Sequence, residues 1–285
     1  MAIKKILVVG PGQMGGGIAQ VAAGAGFEVM LNGIDQPSID SCLAGIRRNL
    51  AKLAEKGKLE AGQPEAILSR ISGQVSLAVA AAGVDLAIEA VNEQLEIKRG
   101  IFAELEKHAP AGAILASNTS SLSVTRIAGG VSRPERVIGL HFFNPVPVMK
   151  LVEIIVGLAT SDGVYQEARA FVQALGKSPV RVEDMPGFCA NRIAVPMINE
   201  AVFALMEGAA SAEDIDQCLT LGYNHLMGPL ALADLIGLDT VLYVMEVLHE
   251  GYGDGKYRPC PLLRKYVEAG WLGRKSGRGF FNYSK

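Results

Sequence analysis

The sequence has few of the residues that mark metal-bound, disulfide-bonded or membrane-spanning proteins. Its 285 residues include four cysteines, four histidines and one tryptophan. The cysteines stand far apart, at positions 42, 189, 218 and 260, and form no Cys-x-x-Cys or Cys/His group. We therefore expect no disulfide framework and no metal site. The expected compartment is the cytoplasm, because it keeps thiols reduced.

Charge and hydropathy exclude further classes of protein. The net charge of -2 provides no general attraction to nucleic acid or to an anionic membrane. No apolar run reaches the ~20 residues that a membrane-spanning helix needs. Residues 1–5 lead straight into an apolar segment, so we expect no signal peptide. The hydrophobic fraction of 49% and the length predict a globular chain with room for two domains.

Glycine, by contrast, is abundant, and three glycines follow the first apolar run. Residues 6–9 lead into Gly10-Pro-Gly12-Gln-Met14-Gly15. This Gly-x-Gly-x-x-Gly spacing between a strand and a helix is typical of dinucleotide-binding proteins. The first glycine permits a tight turn, the second lets a pyrophosphate approach the backbone, and the third lets the helix pack on the strand. A glycine-rich turn without a ligand is the alternative.

The predicted second strand, residues 27–32, lacks the acidic residue that usually follows it. An Asp or Glu about 20 residues after the glycines normally binds the hydroxyls of the adenosine ribose. Here Gly33 stands at that position, and the nearest acid is Asp35. Loss of the acid makes NADP more plausible, yet no Arg or Lys lies between positions 30 and 46 to bind a 2′-phosphate. The sequence therefore favours NAD over NADP.

Strands and helices alternate up to about residue 183, and helical patterns follow. The later strand-like runs are residues 84–90, 113–117, 136–141, 149–156 and 179–182. A short strand is also expected at residues 72–77. Asp184-Met-Pro186-Gly187 then interrupts the order, and helical patterns occupy residues 191–207, 212–221, 230–247 and 261–269. We predict a doubly wound, Rossmann-like α/β domain over residues 1–184 and an all-helical domain over residues 185–285.

A helix predicted over residues 40–58 carries basic side chains on one face. We call Arg47, Arg48, Lys52, Lys56 and Lys58 the basic face. A run of charge on a helix is usually a solvated surface. This one could also bind a phosphorylated ligand.

The segment from His141 to Glu153 combines an imidazole and a carboxylate within apolar sequence. His141 ends one predicted strand, and Glu153 lies among apolar residues of the next. A carboxylate in that setting is costly without a partner, and the turn suggested by Asn144, Pro145 and Pro147 would bring His141 back to it. A histidine held by a glutamate can act as a general base. A purely structural pair is the alternative.

Polar residues follow two other predicted strands. Glu93 and Lys98 come just past the strand at 84–90, and residues 117–121 read Ser-Asn-Thr-Ser-Ser. Open α/β sheets bind ligands at the carboxyl ends of their strands. Ordinary helix-start charges and helix caps are the alternatives.

Together these motifs resemble the L-3-hydroxyacyl-CoA dehydrogenase family, in particular its short bacterial members that act on 3-hydroxybutyryl-CoA. The resemblance runs from the glycine loop to the C terminus and rests on segments 116–122, 141–153, 186–192, 227–230 and 273–280. It implies an oxidoreductase of fatty acid and butanoate metabolism. The reaction is the reversible oxidation of a short-chain (S)-3-hydroxyacyl-CoA, such as (S)-3-hydroxybutyryl-CoA, to a 3-ketoacyl-CoA such as acetoacetyl-CoA, by hydride transfer to NAD or NADP.

The resemblance also implies residue roles. His141 matches the catalytic acid/base and Glu153 its partner, while Ser120 and Asn191 match side chains that contact the substrate. The matching cofactor contacts are Gly10, Gly12, Met14, Gly15, Glu93, Lys98, Asn118, Ser120, Asn144 and Lys275, with Gly33 and Asp35 at the ribose end.

Partners follow from the same resemblance. Coenzyme A carries phosphates, so we expect the basic face, Lys52 and Lys56 above all, to contact an acyl-CoA substrate. The helical domain is expected to form a homodimer. Two alternatives stay open, namely a dehydrogenase of a free hydroxy acid on the same fold and a non-catalytic dinucleotide-binding protein.

Overall fold

The computed structural model describes residues 3–284, and the chain divides into two compact units, Met1–Asp184 and Met185–Lys285. The first unit is built on an eight-stranded sheet with the order β3-β2-β1-β4-β5-β6-β7-β8. Its strands are β1 Lys5–Val9, β2 Glu28–Asn32, β3 Ile71–Gln74, β4 Leu86–Glu89, β5 Ile114–Ser117, β6 Val137–Phe142, β7 Leu151–Val156 and β8 Ser178–Glu183. The predicted doubly wound sheet is confirmed.

Strand directions follow from the connections. Neighbouring strands are parallel throughout the sheet except for β6 and β7, which are antiparallel. The connection between those two, residues 143–150, is too short for the crossover that a parallel pair requires. The central strands are buried apolar runs, as expected where helices cover both faces of a sheet.

Helices connect the other strands of the first unit. They are α1 Gln13–Gly24, α2 Gln36–Glu55, α3 Gln63–Leu68, α4 Leu77–Ala81, α5 Leu95–His108, α6 Val124–Ala128 and α7 Asp162–Ala174. The predicted start of α2 at residue 40 is wrong, because the Asp35 carboxylate caps the helix and accepts a 2.9 Å hydrogen bond from Ser38 N. Since α2 ends at Glu55, Lys56 and Lys58 lie beyond its last turn.

The predicted strand over residues 72–77 is also wrong at its end. The strand β3 stops at Gln74, and Ser76 instead caps the short helix α4, which the sequence did not predict. Ser76 is one of the residue types that favour this capping position.

The second unit is helical, as predicted. Its helices are α8 Ala190–Met206, α9 Ala212–Gly222, α10 Pro229–Ile236, α11 Leu238–Tyr252 and α12 Pro261–Glu268. The prediction of one helix over residues 230–247 is wrong, because Gly237 has a φ of +105° and separates α10 from α11. Within residues 3–284, no helix is both long and apolar enough to cross a membrane.

The chain after α12 is held against α10. The Asp234 carboxylate, 1% exposed, accepts hydrogen bonds from Phe280 N at 3.0 Å and Phe281 N at 2.9 Å. A side chain at Gly279 would collide with that carboxylate. This explains the glycine there and fixes the aromatic end of the chain to the second unit.

Candidate active site

The motifs of the first unit meet at one edge of its sheet. Val9 pairs with Glu89 and Glu89 with Ser117, so the carboxyl ends of β1, β4 and β5 are level. Ser117 pairs with Gly139, and β6 continues past that level through His141 to Phe142. The glycine loop, the segment after β4, the polar turn after β5 and His141 all lie at these ends. This is the edge at which open α/β sheets bind ligands.

The glycine loop fits a dinucleotide pyrophosphate. Gly10 has a φ of +106°, which other residues rarely adopt, and a side chain at Gly15 would collide with the Gly10 carbonyl. At Gly12 an added Cβ would meet nothing within 4 Å. Gly12 is also the N-cap of α1, and no side chain among residues 3–284 caps that helix. Open space therefore faces a helix N-terminus, which is suited to a phosphate, and Met14 lies in the first turn.

The packing around Gly33 explains why no acidic residue stands at the position that usually binds the ribose. A Cβ at Gly33 would lie 2.8 Å from Ser38 Oγ and 2.9 Å from both Ile39 Cγ1 and Pro11 Cγ. Position 33 therefore has no space for an aspartate without movement of its neighbours. Asp35 is exposed, and the hydrogen bond from Ser38 N lowers the pKa of its carboxyl, so the nearest acid is charged at neutral pH.

His141 and Glu153 are direct partners across the antiparallel strands β6 and β7. The distance from His141 Nδ1 to Glu153 Oε2 is 2.8 Å, and the two residues are 5% and 1% exposed. The ring of Phe143 packs against the imidazole with centroids 4.5 Å apart. The pairing predicted from the sequence is present. A carboxylate beside Nδ1 accepts a hydrogen bond from the Nδ1 proton, which leaves Nε2 as the basic nitrogen.

Hydrogen bonds from two other parts of the first unit hold the loop between β6 and β7 in place. Asn144 Oδ1 accepts a 3.0 Å hydrogen bond from Gln13 in the glycine loop. Lys177 Nζ donates to the carbonyls of Val146 and Met149, both at 2.6 Å. Burial lowers the pKa of the Lys177 ammonium. Lys177 was missed in the sequence, because nothing in its neighbourhood indicates a partner more than 25 residues away.

The turn at 117–121 is organised by Glu93 and by β6. Glu93 Oε1 accepts hydrogen bonds from Ser120 N at 2.9 Å, Ser121 N at 3.1 Å and the Thr119 hydroxyl. Asn118 Oδ1 accepts a 3.0 Å hydrogen bond from Phe142 N, the residue after His141. Hydrogen bonds therefore connect the turn that carries Ser120 to β6, the strand that carries His141.

Glu89, the last residue of β4, is fully buried and was not predicted as a site residue. Its carboxylate lies 2.7 Å from Lys98 Nζ, and Lys98 also lies 3.2 Å from Glu93. Lys98 is only 1% exposed, and its ammonium contacts both carboxylates. Its predicted contact with a cofactor stays a prediction. The available signal for Glu89 was an acid within an apolar strand, the same signal that identified Glu153.

Other predicted site residues lie away from this edge of the sheet or in the second unit. Lys52 and Lys56 are exposed, on α2 and at its end. Asn191 lies in the first turn of α8. Lys275 binds the carboxylate of Asp239 within the second unit, at 2.6 and 2.7 Å.

Two family models together match nearly the whole chain. The NAD-binding domain of 3-hydroxyacyl-CoA dehydrogenase matches residues 5–185, and the C-terminal domain of 3-hydroxyacyl-CoA dehydrogenase matches residues 187–283.

Similar proteins also cover the full length. A probable 3-hydroxybutyryl-CoA dehydrogenase of Bacillus subtilis is 53% identical over 285 residues, 100% of this chain and 99% of that protein. The 3-hydroxybutyryl-CoA dehydrogenase of Bradyrhizobium diazoefficiens is 53% identical over 281 residues, 99% of this chain and 96% of that protein. The crystal structure of (S)-3-hydroxybutyryl-CoA dehydrogenase from Ralstonia eutropha has a TM-score of 0.96 at 47% identity and covers 99% of this chain and 100% of that one. The chain therefore belongs to the 3-hydroxyacyl-CoA dehydrogenase family and contains that family's NAD-binding domain.

Proposed function

We propose that this protein interconverts (S)-3-hydroxybutyryl-CoA and acetoacetyl-CoA with NAD. The observation that carries the proposal is the buried His141–Glu153 pair at the ligand-binding edge of a dinucleotide-binding sheet. The substrate is supported by relatives of about half identity over the whole chain that are named for it.

In this proposal His141 moves the proton of the 3-hydroxyl group. Nε2 accepts that proton during oxidation and returns it during reduction of the ketone. Glu153 fixes the ring and stabilises the imidazolium as it forms. The bound nicotinamide supplies the hydride acceptor. A positioned base of this kind contributes about a hundred- to ten-thousand-fold in rate.

Ser120 and Asn191 are assigned to holding the reacting oxygen or the thioester carbonyl. Support for Ser120 comes from the hydrogen bond of its backbone N to Glu93, which fixes the turn beside β6. The side-chain hydroxyl of Ser120 and the side-chain amide of Asn191 would then act as oriented donors, which stabilise the negative charge that develops on oxygen. Asn191 is assigned from its match to the family motif. The glycine loop, Glu93, Asn118, Asn144 and Lys275 are assigned to the cofactor.

We infer that NAD is preferred to NADP. The exposed carboxylate of Asp35 repels a 2′-phosphate, and residues 31–45 contain no basic side chain to bind one. Gly33 supplies no acid, so the ribose hydroxyls are left to Asp35 or to backbone groups.

Coenzyme A is assigned to the basic face at the end of α2. Arg47, Arg48 and Lys52 are exposed there. They form no ion pair with a carboxylate in the described part of the chain, which leaves their charge available to phosphates.

A homodimer through the second unit is also proposed. Several large apolar side chains of that unit are exposed, and exposed apolar side chains of this kind are available for a protein–protein contact. They are Ile193, Leu221, Tyr223, Leu226, Leu235 and Ile236.

The four free cysteines are consistent with a reducing compartment such as the cytoplasm.

The test of the proposed function is one assay of acetoacetyl-CoA reduction with NADH and NADPH in parallel. Turnover with NADH, and less with NADPH, is expected. Faster turnover with NADPH contradicts the cofactor assignment. Absent turnover with both, with NAD still bound, favours a non-catalytic dinucleotide-binding protein.

A further inference from the structure

Three charged side chains form a buried chain beneath the polar turn. Glu89 accepts hydrogen bonds from Lys98 Nζ, Val91 N and Ser117 Oγ, each at 2.7 Å. Lys98 Nζ also contacts the Glu93 carboxylate. Glu93 accepts a hydrogen bond from the backbone N of Ser120, in the polar turn. We call Glu89, Lys98 and Glu93 the carboxylate chain. The proposed function uses Glu93 and does not account for a second, fully buried carboxylate.

The carboxylate chain carries one excess negative charge. The contacts of Glu89 are an ammonium, a backbone N–H and a hydroxyl, which together suit an ionised carboxylate. Burial would raise the pKa of Glu93, but the Lys98 ammonium and the hydrogen bonds from Thr119 and Ser120 outweigh it and lower that pKa. Two carboxylates thus share the single ammonium of Lys98, so one negative charge has no cationic partner within the group.

This charge lies close to where the hydride is transferred. Strand β5 separates β4 from β6, and neighbouring strands are about 4.8 Å apart. Glu89 is consequently about 10 Å from the strand that carries His141. In the proposed reaction the nicotinamide would bind near His141, because the carbon that gives up the hydride also carries the hydroxyl that His141 deprotonates.

We propose that Glu89, acting through Lys98 and Glu93, favours binding of the oxidised cofactor over the reduced one. The inference rests on the proposed function, since it requires a nicotinamide at this edge. The oxidised ring carries a positive charge and the reduced ring is neutral. A buried negative charge at this end of the sheet would stabilise the cationic ring, because attraction between charges is stronger inside a protein than in water. Glu89 is thus a positioning residue that also sets the charge of the site.

The test compares dissociation constants for NAD and NADH in the wild type and in Glu89→Gln. Glutamine keeps the shape of the side chain, and its amide oxygen can still accept a hydrogen bond from Lys98. The substitution removes one negative charge from the carboxylate chain. The ratio of the NAD to the NADH dissociation constant should rise about three- to tenfold. Both constants come from NADH fluorescence titration and its competition by NAD, without turnover.

Two control variants separate charge from structure. Ser117→Ala removes a hydrogen bond to Glu89 but no charge, so its ratio should stay near the wild-type value. Glu106→Gln removes a carboxylate of the same domain that binds Ser132 N and Arg133 N before β6, at the opposite edge of the sheet. Its ratio should also be unchanged. A shift in Ser117→Ala as large as that in Glu89→Gln would overturn the proposal.

The remaining outcomes are also decisive. If both nucleotides bind Glu89→Gln with an unchanged ratio, Glu89 is only structural and the inference fails while the proposed function stands. If the wild type binds neither nucleotide, the proposed function fails. Should Glu89→Gln not fold, Glu93→Gln removes one negative charge at the partly exposed end of the carboxylate chain. Glu93 is also assigned to the cofactor, so both dissociation constants are expected to rise in this variant, and only their ratio tests the inference. A raised ratio there supports the inference, and an unchanged ratio rejects it.

Discussion

His141 and Glu153 face each other across the antiparallel strand pair β6 and β7, and 2.8 Å separates Nδ1 from the carboxylate. The two strands are otherwise part of a parallel sheet. The short connection through Asn144 and Pro145 forces the chain to return beside itself, which places the carboxylate next to the imidazole. The direction of one strand thus creates the proposed acid/base group.

Replacement of His141 by Gln should lower kcat by about a hundred- to ten-thousand-fold, because Gln cannot exchange a proton at neutral pH. The dissociation constant for NAD should stay within a few-fold of the wild type. Glu153→Gln should lose less activity, since it removes support and leaves the base. Steady-state kinetics and fluorescence titration measure these effects, and near-normal turnover by His141→Gln would reject the assignment.

Glu93 should make stability depend on pH in the acid range. Its pKa is lowered from the ordinary value of 4.5 in the folded protein. A lowered folded pKa contributes stability above pH 4.5 that is lost as the pH falls through the folded value. Urea denaturation gives the free energy of unfolding at each pH. Between pH 7 and pH 3 this free energy should therefore fall less for Glu93→Gln than for the wild type. The exposed Glu96→Gln is the control and should follow the wild type.

Lys177→Met should loosen the loop between β6 and β7. The variant loses two hydrogen bonds from an ammonium to loop carbonyls, at a cost of about 1–3 kcal/mol in the free energy of unfolding. Because Asn144 lies in that loop, the dissociation constant for NAD should also rise. Lys150→Met, at an exposed lysine of the same loop, should change neither quantity. Equal effects of the two substitutions would show that the Lys177 contacts are unimportant.

Gly33→Ala should destabilise the fold by about 1–3 kcal/mol, because the added carbon is too close to Ser38, Ile39 and Pro11. Gly100→Ala in α5 is a matched control, since nothing lies within 4 Å of its new carbon. That control should be neutral or slightly stabilising. A Gly33→Ala protein with wild-type stability would refute the steric explanation for the missing acid.

The double substitution of Lys52 and Lys56 by Glu should raise KM for acetoacetyl-CoA several-fold through repulsion of the CoA phosphates. KM for the cofactor should not change. The effect should weaken with salt, because both lysines are exposed. A similar rise in both KM values would exclude the basic face as a CoA contact.

Much of the fold could be predicted because the signals are local. Apolar runs, the glycine loop and the break at Asp184 indicate strands, a nucleotide site and a change of architecture. Predicted boundaries were wrong where a single residue decides them, as with the Asp35 cap of α2 and the positive φ of Gly237. Neither feature changes the apolar periodicity on which the prediction was based.

The site was predictable where its chemistry is unusual for its setting. Glu153 stands out as an acid in an apolar strand, and His141 precedes a tight turn. Glu89 has the same signature, but its partner Lys98 lies on a helix start that looks solvated in sequence. The tie between Lys177 and Val146 depends on tertiary distance, which no local pattern contains.

The most direct test of the proposed reaction compares acetoacetyl-CoA with free acetoacetate as substrates, each with NADH, in the wild type and in His141→Gln. We expect rapid NADH oxidation with acetoacetyl-CoA, little with acetoacetate, and loss of the activity in His141→Gln. Rapid turnover of acetoacetate without a response to acetoacetyl-CoA would contradict the proposed reaction.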